Sequence, residues 1–251
     1  METQPIKRIA VNKVSKSFRI GFQKSDGILA RVLSFLSGRE AKKPSLVLDS
    51  VSFEVFAGEK VGLIGNNGSG KSTLLRIIAG IYEADGGEVF TNGEVLYMNG
   101  FRLGLKPRLT MRENIFLIGS IMGLNYREVK EKLTEIVEFA ELKDYLDTKV
   151  YQFSSGMLSR LCFATTIHCL KQKNPEIILL DEVFGAGGDF AFQNKAIAKM
   201  EEFVYGGASI IIVSHQMEII KKYCDRTILL EKGRLEGAGE SQEVVRSYLN
   251  T

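Results

Sequence analysis

The sequence has no tryptophan, only four prolines and two histidines, and three cysteines in 251 residues. Cys162, Cys169 and Cys224 form neither a CxxC pair nor a metal-binding spacing, so we expect free, packed thiols in a reducing compartment. The longest apolar runs are about as long as a strand, far short of the roughly 20 residues that span a bilayer. These absences exclude a disulfide scaffold and predict a chain without a transmembrane helix.

A strong charge imbalance is also absent. The chain has 33 basic and 30 acidic residues, and its formal net charge is +3. This balance gives no electrostatic indication of a nucleic-acid partner, and we expect none. The composition, 45% apolar and 25% charged, is typical of a packed globular protein.

A glycine-rich segment between an apolar strand predicted at 60–64 and a helix predicted at 72–79 matches the phosphate-loop pattern G-x-x-x-x-G-K-[ST]. Small residues let consecutive backbone N–H groups surround phosphate oxygens, and the helix adds the positive end of its dipole. Lys71 can reach the β- and γ-phosphates, and the Ser72 hydroxyl can ligate Mg²⁺. The residues predicted to bind ATP with Mg²⁺ are Gly65, Asn66, Asn67, Gly68, Ser69, Gly70, Lys71, Ser72 and Thr73.

Two acidic residues follow the apolar strand predicted at 177–180. Because the carboxyl end of such a strand faces the nucleotide crevice, Asp181 is predicted to hold Mg²⁺ through water. Glu182 is predicted to orient or deprotonate the attacking water. His215 follows a strand predicted at 208–213 and can hydrogen-bond a γ-phosphate or that water. Taken alone, these three side chains are also compatible with solvated loops.

Small residues open a further helix at Phe153-Ser154-Ser155-Gly156-Met157. The exposed N–H groups of Ser154, Ser155 and Gly156 form a second candidate anion site. The same pattern is typical of an ordinary helix cap, so its meaning depends on its place in the chain.

The remaining pattern predicts alternating strands and helices. The other strand predictions are Ile9–Ser15, Val51–Phe56 and a hairpin over Glu88–Tyr97 that turns at Asn92-Gly93. From about residue 110 the pattern becomes helical, and Asn125 can cap a helix together with Glu128. Alternation of this kind predicts a parallel α/β sheet, here with a mainly helical insert.

Residues 21–45 contain an apolar stretch at helical spacing between Ile28 and Leu36, flanked by basic residues. It is either a surface helix packed on the domain or a docking element for a membrane partner or a membrane surface. The sequence leaves both interpretations open.

The order of these segments resembles that of the ABC ATPases from end to end. In this resemblance, residues 65–72 look like the Walker A motif, 177–181 like Walker B and 154–157 like the signature motif. Glu182 is then similar to the catalytic glutamate, and His215 to the switch histidine.

The resemblance also implies a fold and two further roles. It implies a P-loop NTPase with a RecA-like parallel sheet and an antiparallel β subdomain at 1–104 and 168–251, and a helical subdomain at 105–167. Asp189 looks like the D-loop aspartate that couples the halves of a dimer. Phe18 looks like the aromatic residue that stacks on adenine, although packing at a strand end explains it equally well.

Departures from the general pattern point to one branch of that family. The segment Phe153 to Met157 followed by Arg160, and the run Pro107 to Asn114, resemble bacterial surface-polysaccharide export ATPases, including those for O-antigen and teichoic acid. The Q-loop glutamine is missing, since only Asn99 carries a side-chain amide between Tyr97 and Gly104.

The resemblance implies a homodimer that binds ATP and Mg²⁺ and drives a separate integral-membrane permease. The chain would then lie peripherally on the cytoplasmic face of a bacterial inner membrane. Two alternatives remain at this stage: export of a drug, lipid or other small molecule, and a soluble ABC ATPase that acts on DNA or the ribosome.

Overall fold

The computed structural model describes residues 5–18, 44–100, 104–170, 175–184 and 190–250. The strands in these ranges are β1 Lys7–Phe18, β2 Ser45–Phe56, β3 Lys60–Ile64, β4 Gly86–Thr91, β5 Val95–Asn99, β6 Ile177–Asp181, β7 Ser209–Val213, β8 Arg226–Glu231 and β9 Arg234–Glu240. The helices are α1 Lys71–Ile78, α2 Met111–Ile121, α3 Tyr126–Ala140, α4 Ser155–Cys169, α5 Phe190–Val204, α6 Met217–Tyr223 and α7 Ser241–Leu249. Short 3₁₀ turns occur at Lys143–Tyr145 and Val150–Gln152. The helix predicted between Ile28 and Leu36 lies outside the described residues.

A six-stranded sheet in the order β5-β6-β7-β3-β8-β9 forms the centre of the fold. All neighbouring pairs are parallel except β8 and β9, which form an antiparallel hairpin. Along β6, Ile178 and Leu180 pack into the core on one face, and Ile177 and Leu179 into the core on the other. Because both faces are covered, β6 is an unbroken apolar run, as parallel sheets require. The predicted parallel α/β core is confirmed.

A second sheet, β2-β1-β4, is antiparallel and has three strands in the described part of the chain. Its inner face packs with α1 and the central sheet in one apolar core. Both β1 and β2 are longer than predicted, because their pairing continues as far as Phe18 opposite Ser45. Register shifts and a positive φ of 53° at Ser50 interrupt the alternation of apolar and polar residues by which a strand is recognised in sequence.

The predicted hairpin over Glu88–Tyr97 is wrong. β4 pairs antiparallel with β1, whereas β5 pairs parallel with β6, so the two strands belong to different sheets. The Asn92-Gly93 turn does separate them, but its groups bond elsewhere: the Asn92 N–H donates to Arg8 O, and the Glu94 N–H to a carboxylate oxygen of Glu176. Long-range partners on β1 and β6 therefore decide the pairing that local turn chemistry suggested.

The helices α2, α3 and α4 form a layer with an apolar core of their own. α3 begins at a capping box in which the Asn125 side chain accepts from the Glu128 N–H and Glu128 bonds back to the Asn125 N–H. That prediction is confirmed, as is the helix that follows Ser154. No helix in the described ranges is long and apolar enough to span a membrane.

A buried amide helps to hold the segment that leads into α2. Asn114, with no exposed surface, accepts from the Lys106 N–H and donates to the carbonyls of Lys106 and Thr110. Asn114→Ala is expected to lower the free energy of unfolding by about 3 kcal/mol, because several hydrogen bonds of one buried side chain are lost together. Urea unfolding measures this, and Asn125→Ala, which removes only an exposed cap, should cost about 1 kcal/mol. Equal losses in the two variants would refute the role given to Asn114.

The three cysteines are buried, and Cys169 and Cys224 form no disulfide bond. Burial raises the pKa of the Cys169 thiol to about 11 and that of Cys224 to about 12. At pH 8 almost no thiolate forms at these two positions, so they should react with a thiol reagent only after unfolding. Titration with a chromogenic disulfide reagent at pH 8 checks this. Prompt reaction of Cys169 and Cys224 in the native protein would contradict it.

Candidate functional site

The turn between β3 and α1 is shaped by glycines that no larger residue can replace. A Cβ on Gly65 would lie 1.9 Å from the carbonyl oxygen of Leu230, and one on Gly70 would lie 2.8 Å from that of Val47. Gly70 also has φ of 105°, in the left-handed region, where it caps the start of α1. The loop can therefore pack closely against β2 and β8, and its last backbone N–H groups lie at the N-terminus of α1.

Lys71 begins α1 and folds back over this loop. Its ammonium donates to the carbonyl oxygens of Gly65 at 2.7 Å and Asn66 at 2.9 Å, and the residue is 7% exposed. Burial lowers the pKa of Lys71, and the negative charges of Glu182 and Asp181 oppose that change. The loop thus holds a shielded cation at the amino end of a helix, which suits a phosphate chain.

Asp181 is the last residue of β6 and is 1% exposed. Its Oδ1 accepts a hydrogen bond of 3.0 Å from the hydroxyl of Ser72, one residue beyond Lys71. The predicted metal pair, Ser72 and Asp181, is therefore brought into direct contact from positions 109 residues apart. Hydroxyl and carboxylate oxygens are hard donors that fit Mg²⁺ when phosphate oxygens and water complete the coordination.

Glu182 follows Asp181 in an uncommon backbone conformation. Its φ is 57°, in the left-handed region that costs a residue with a Cβ about 1 kcal/mol or more. Its N–H bonds the carbonyl of Val213 at the end of β7, and its carboxylate lies 3.4 Å from Nε2 of His215. Strain at this position turns the carboxylate toward His215 and out of the sheet.

These side chains meet in one cavity of about 320 Å³ at the carboxyl ends of β3, β6 and β7. It is lined by Val47, Asn67, Gly68, Ser69, Gly70, Lys71, Ser72, Thr73, Asp181, Glu182, Val213 and His215. Gly65 and Asn66 do not line it, and they contribute through the carbonyls that hold Lys71. The structure therefore unites a phosphate loop, a metal-type oxygen pair and an acid beside a histidine.

Ser154, Ser155 and Gly156 do not line this cavity. The Ser154 side chain accepts from the Met157 N–H at 3.2 Å and caps α4, and both serines are exposed. Within one chain, this second candidate anion site is separate from the phosphate loop.

Three other predicted positions have different outcomes. Phe18 ends β1, and its ring makes an edge contact with Tyr82 at 5.6 Å between centroids, which leaves adenine stacking and simple packing both open. Asn99 ends β5 opposite Asp181 in the strand register. Asp189 lies outside the described residues.

Sequence reasoning missed three contacts to the site. The hydroxyl of Tyr97 donates to Oδ2 of Asp181, and the Asn66 side chain bonds Tyr248 of α7 at 3.3 Å and Glu231 of β8 at 3.4 Å. Tyr97 and Tyr248 belong to no motif. The sequence offered one signal: Tyr97 lies on the strand that precedes the position where a Q-loop glutamine is expected and not found.

Comparison with known proteins agrees with this geometry. The family model described as ABC transporter matches residues 48–185. The O-antigen export system ATP-binding protein RfbB of Klebsiella pneumoniae is 40% identical over 218 residues, which cover 87% of this chain and 85% of that protein. RfbE of Yersinia enterocolitica, of the same description, is 44% identical over 74% of this chain and 76% of its own length. The teichoic acids export ATP-binding protein TagH of Listeria innocua is 37% identical over 96% of this chain and 69% of its own length.

Solved structures share the fold at lower sequence identity. The ATP-binding subunit of an ABC transporter matches with a TM-score of 0.66 and 24% identity, covering 96% of this chain and 93% of that one. The cassette MJ0796, in a dimeric post-hydrolysis state bound to ADP and Pi, matches with a TM-score of 0.66 and 22% identity, covering 93% of this chain and 98% of that one. These likenesses establish the architecture around the cavity.

Proposed function

Because the chain belongs to the ABC transporter family, we propose that it is the ATP-hydrolysing subunit of an exporter of lipid-linked surface polysaccharide. The observation that carries this proposal is the convergence of Lys71, Ser72, Asp181, Glu182 and His215 on one cavity. The relatives named above supply the class of cargo, since their names specify O-antigen and teichoic acid export.

The phosphate loop binds the triphosphate of ATP. Lys71 leaves the carbonyls of Gly65 and Asn66 and donates to the β- and γ-phosphates, which are stronger acceptors because they are charged. The backbone N–H groups from Gly68 to Thr73 surround the same oxygens at the start of α1. Burial of Lys71 excludes water and strengthens this interaction.

Mg²⁺ fits the contact between Ser72 and Asp181. A cation held there would neutralise charge on the β- and γ-phosphates. With Mg²⁺ bound, the Ser72 hydroxyl, which donates to Asp181 in this structure, would offer its lone pairs to the cation, and the Asp181 carboxylate would hold the cation through water. The described residues contain no cluster of three or more His, Cys, Asp or Glu side chains that could hold a metal ion.

Glu182 acts on the attacking water. Its carboxylate accepts a proton from that water as the oxygen attacks the γ-phosphorus, and ADP leaves. His215, 3.4 Å from the same carboxylate, orients it and contacts the γ-phosphate. Both groups follow neighbouring strands, which fixes their separation.

Two copies of the chain complete each site. The exposed N–H groups at Ser154, Ser155 and Gly156 contact the γ-phosphate held by the partner copy, since they do not reach the cavity of their own chain. Asp189 couples the two sites across the dimer. Adenine binds near Phe18, whose ring packs against that of Tyr82.

A separate integral-membrane permease converts dimer closure into transport. The chain itself binds this permease at the cytoplasmic face of the membrane, with the 21–45 segment as one candidate contact. Hydrolysis then resets the dimer and the path for the lipid-linked glycan.

The direct test is transport into inverted membrane vesicles that contain the chain and the integral-membrane protein that co-purifies with it. We expect MgATP to drive the lipid-linked glycan into the vesicle lumen, and vesicles with Glu182→Gln should transport none. Transport of a small amphiphile in place of the glycan would support the drug or lipid alternative. Co-purification with RNA or DNA and no permease would overturn the exporter proposal.

A further inference from the structure

Tyr97 lies on β5, beside the strand that ends in the metal-type carboxylate. Its hydroxyl is 3.1 Å from Oδ2 of Asp181, while the Ser72 hydroxyl takes Oδ1 at 3.0 Å. The two carboxylate oxygens therefore have different partners. Tyr97 does not line the cavity, and its hydroxyl reaches the site through the contact with Asp181.

The direction of this hydrogen bond follows from the chemistry of its two groups. An ionised carboxylate can only accept, so the phenol donates its proton to Oδ2 of Asp181. The bond is partly buried, and a hydrogen bond to a charged group is stronger there than in water.

Two hydrogen bonds hold the carboxylate at the end of β6. Asp181 is 1% exposed and lines the cavity. The phenol donates to Oδ2 from the side of β5, and the Ser72 hydroxyl donates to Oδ1 from the side of α1. Without the phenol, Oδ2 would lose its protein donor among the described residues, and the carboxylate would no longer be held on the side of β5.

We propose that Tyr97 is the positioning residue for the metal-binding carboxylate: its hydroxyl, by donating to Oδ2, fixes the orientation of Asp181 toward the Mg²⁺ of bound MgATP. The proposal rests on the proposed function, because it assumes that Asp181 holds the cation. This role differs from that of a Q-loop glutamine, which the sequence lacks, because Tyr97 contacts the carboxylate of Asp181 on the side away from the cavity.

The test is Tyr97→Phe, which keeps the ring and removes only the hydroxyl. The matched control is Tyr223→Phe, because the Tyr223 hydroxyl donates to the Glu201 carboxylate at 2.6 Å, a bond of the same kind between α6 and α5. For each protein, titration with a fluorescent ATP analogue gives its Kd with Mg²⁺ and with EDTA, and a Mg²⁺ titration at fixed nucleotide gives the half-saturating Mg²⁺ concentration. Thermal unfolding gives Tm.

Removing an outer-shell partner at a metal site commonly weakens metal binding about tenfold or more. Because Asp181 acts through water, Tyr97 lies one shell further out, and we expect Tyr97→Phe to raise the half-saturating Mg²⁺ concentration about threefold to tenfold and to leave the Kd of ATP in EDTA unchanged. Tyr223→Phe should lower Tm similarly and keep the wild-type Mg²⁺ dependence.

Wild-type Mg²⁺ dependence in Tyr97→Phe would overturn the inference, and a matching loss of Tm in both variants would then assign the bond to stability alone. An equal rise in the Kd of ATP with and without Mg²⁺ would also overturn it, because the phenol would then act on nucleotide in general. Failure of the wild-type chain to bind ATP under either condition would instead overturn the proposed function, and this inference with it.

Discussion

Replacing Glu182 by glutamine is expected to slow ATP hydrolysis at least about a hundredfold while ATP binding persists, so that ATP-stabilised dimers accumulate. The amide has the shape of the carboxylate and can keep the contact with His215, which lies 3.4 Å away. It cannot take a proton from water, so the chemical step loses its base. The substitution also removes one negative charge beside the γ-phosphate, which favours the closed, ATP-bound dimer.

Light scattering during size-exclusion chromatography measures this dimer. We expect Glu182→Gln to elute as a dimer with MgATP and as a monomer without nucleotide, whereas the wild type should be only transiently dimeric. The matched control is Glu202→Gln, the same change in an exposed acid of α5 that pairs with Lys199. Hydrolysis by Glu182→Gln at the rate of the Glu202→Gln control would remove Glu182 from its assigned role.

The second large effect is expected from Lys71→Ala, which should weaken MgATP binding at least about tenfold and abolish measurable turnover. Hydrogen bonds to charged groups contribute about 1.5–3 kcal/mol, and 1.4 kcal/mol corresponds to a factor of ten in Kd. The variant also leaves the carbonyls of Gly65 and Asn66 without their present donor, which loosens the loop before ATP arrives.

Isothermal titration with MgATP measures this Kd, and urea unfolding without nucleotide separates weaker binding from a damaged fold. Lys221→Ala is a suitable control, because Lys221 lies on α6 and pairs with Glu218 on its own helix. Wild-type affinity in Lys71→Ala would contradict the phosphate-loop interpretation.

The sequence was sufficient for those parts of the site that local chemistry dictates. Glycines at 65 and 70 are required by close approaches to Leu230 and Val47, and no other residue type meets that requirement. The acids at 181 and 182 follow an unbroken apolar run, and such a run ends at the crevice edge of a parallel sheet. Local patterns of this kind predicted the central sheet, the capping box at Asn125 and the site residues that the cavity brings together.

Contacts between distant segments could not be predicted in this way. The pairing of β5 with β6 joins residues about 80 positions apart, and this pairing both broke the predicted hairpin and placed Tyr97 behind Asp181. The bond from Tyr248 to Asn66 spans 182 positions. Neither tyrosine has a sequence pattern that distinguishes it from an ordinary strand or helix residue.

The measurement that tests the central claim most directly is phosphate release from MgATP by the purified wild-type chain across a range of protein concentrations. Because two copies complete each site, we predict Mg²⁺-dependent release whose rate per molecule rises with protein concentration and then reaches a plateau. Glu182→Gln should show no such release at any concentration. Phosphate release from the wild type that never exceeds that of Glu182→Gln would contradict the account.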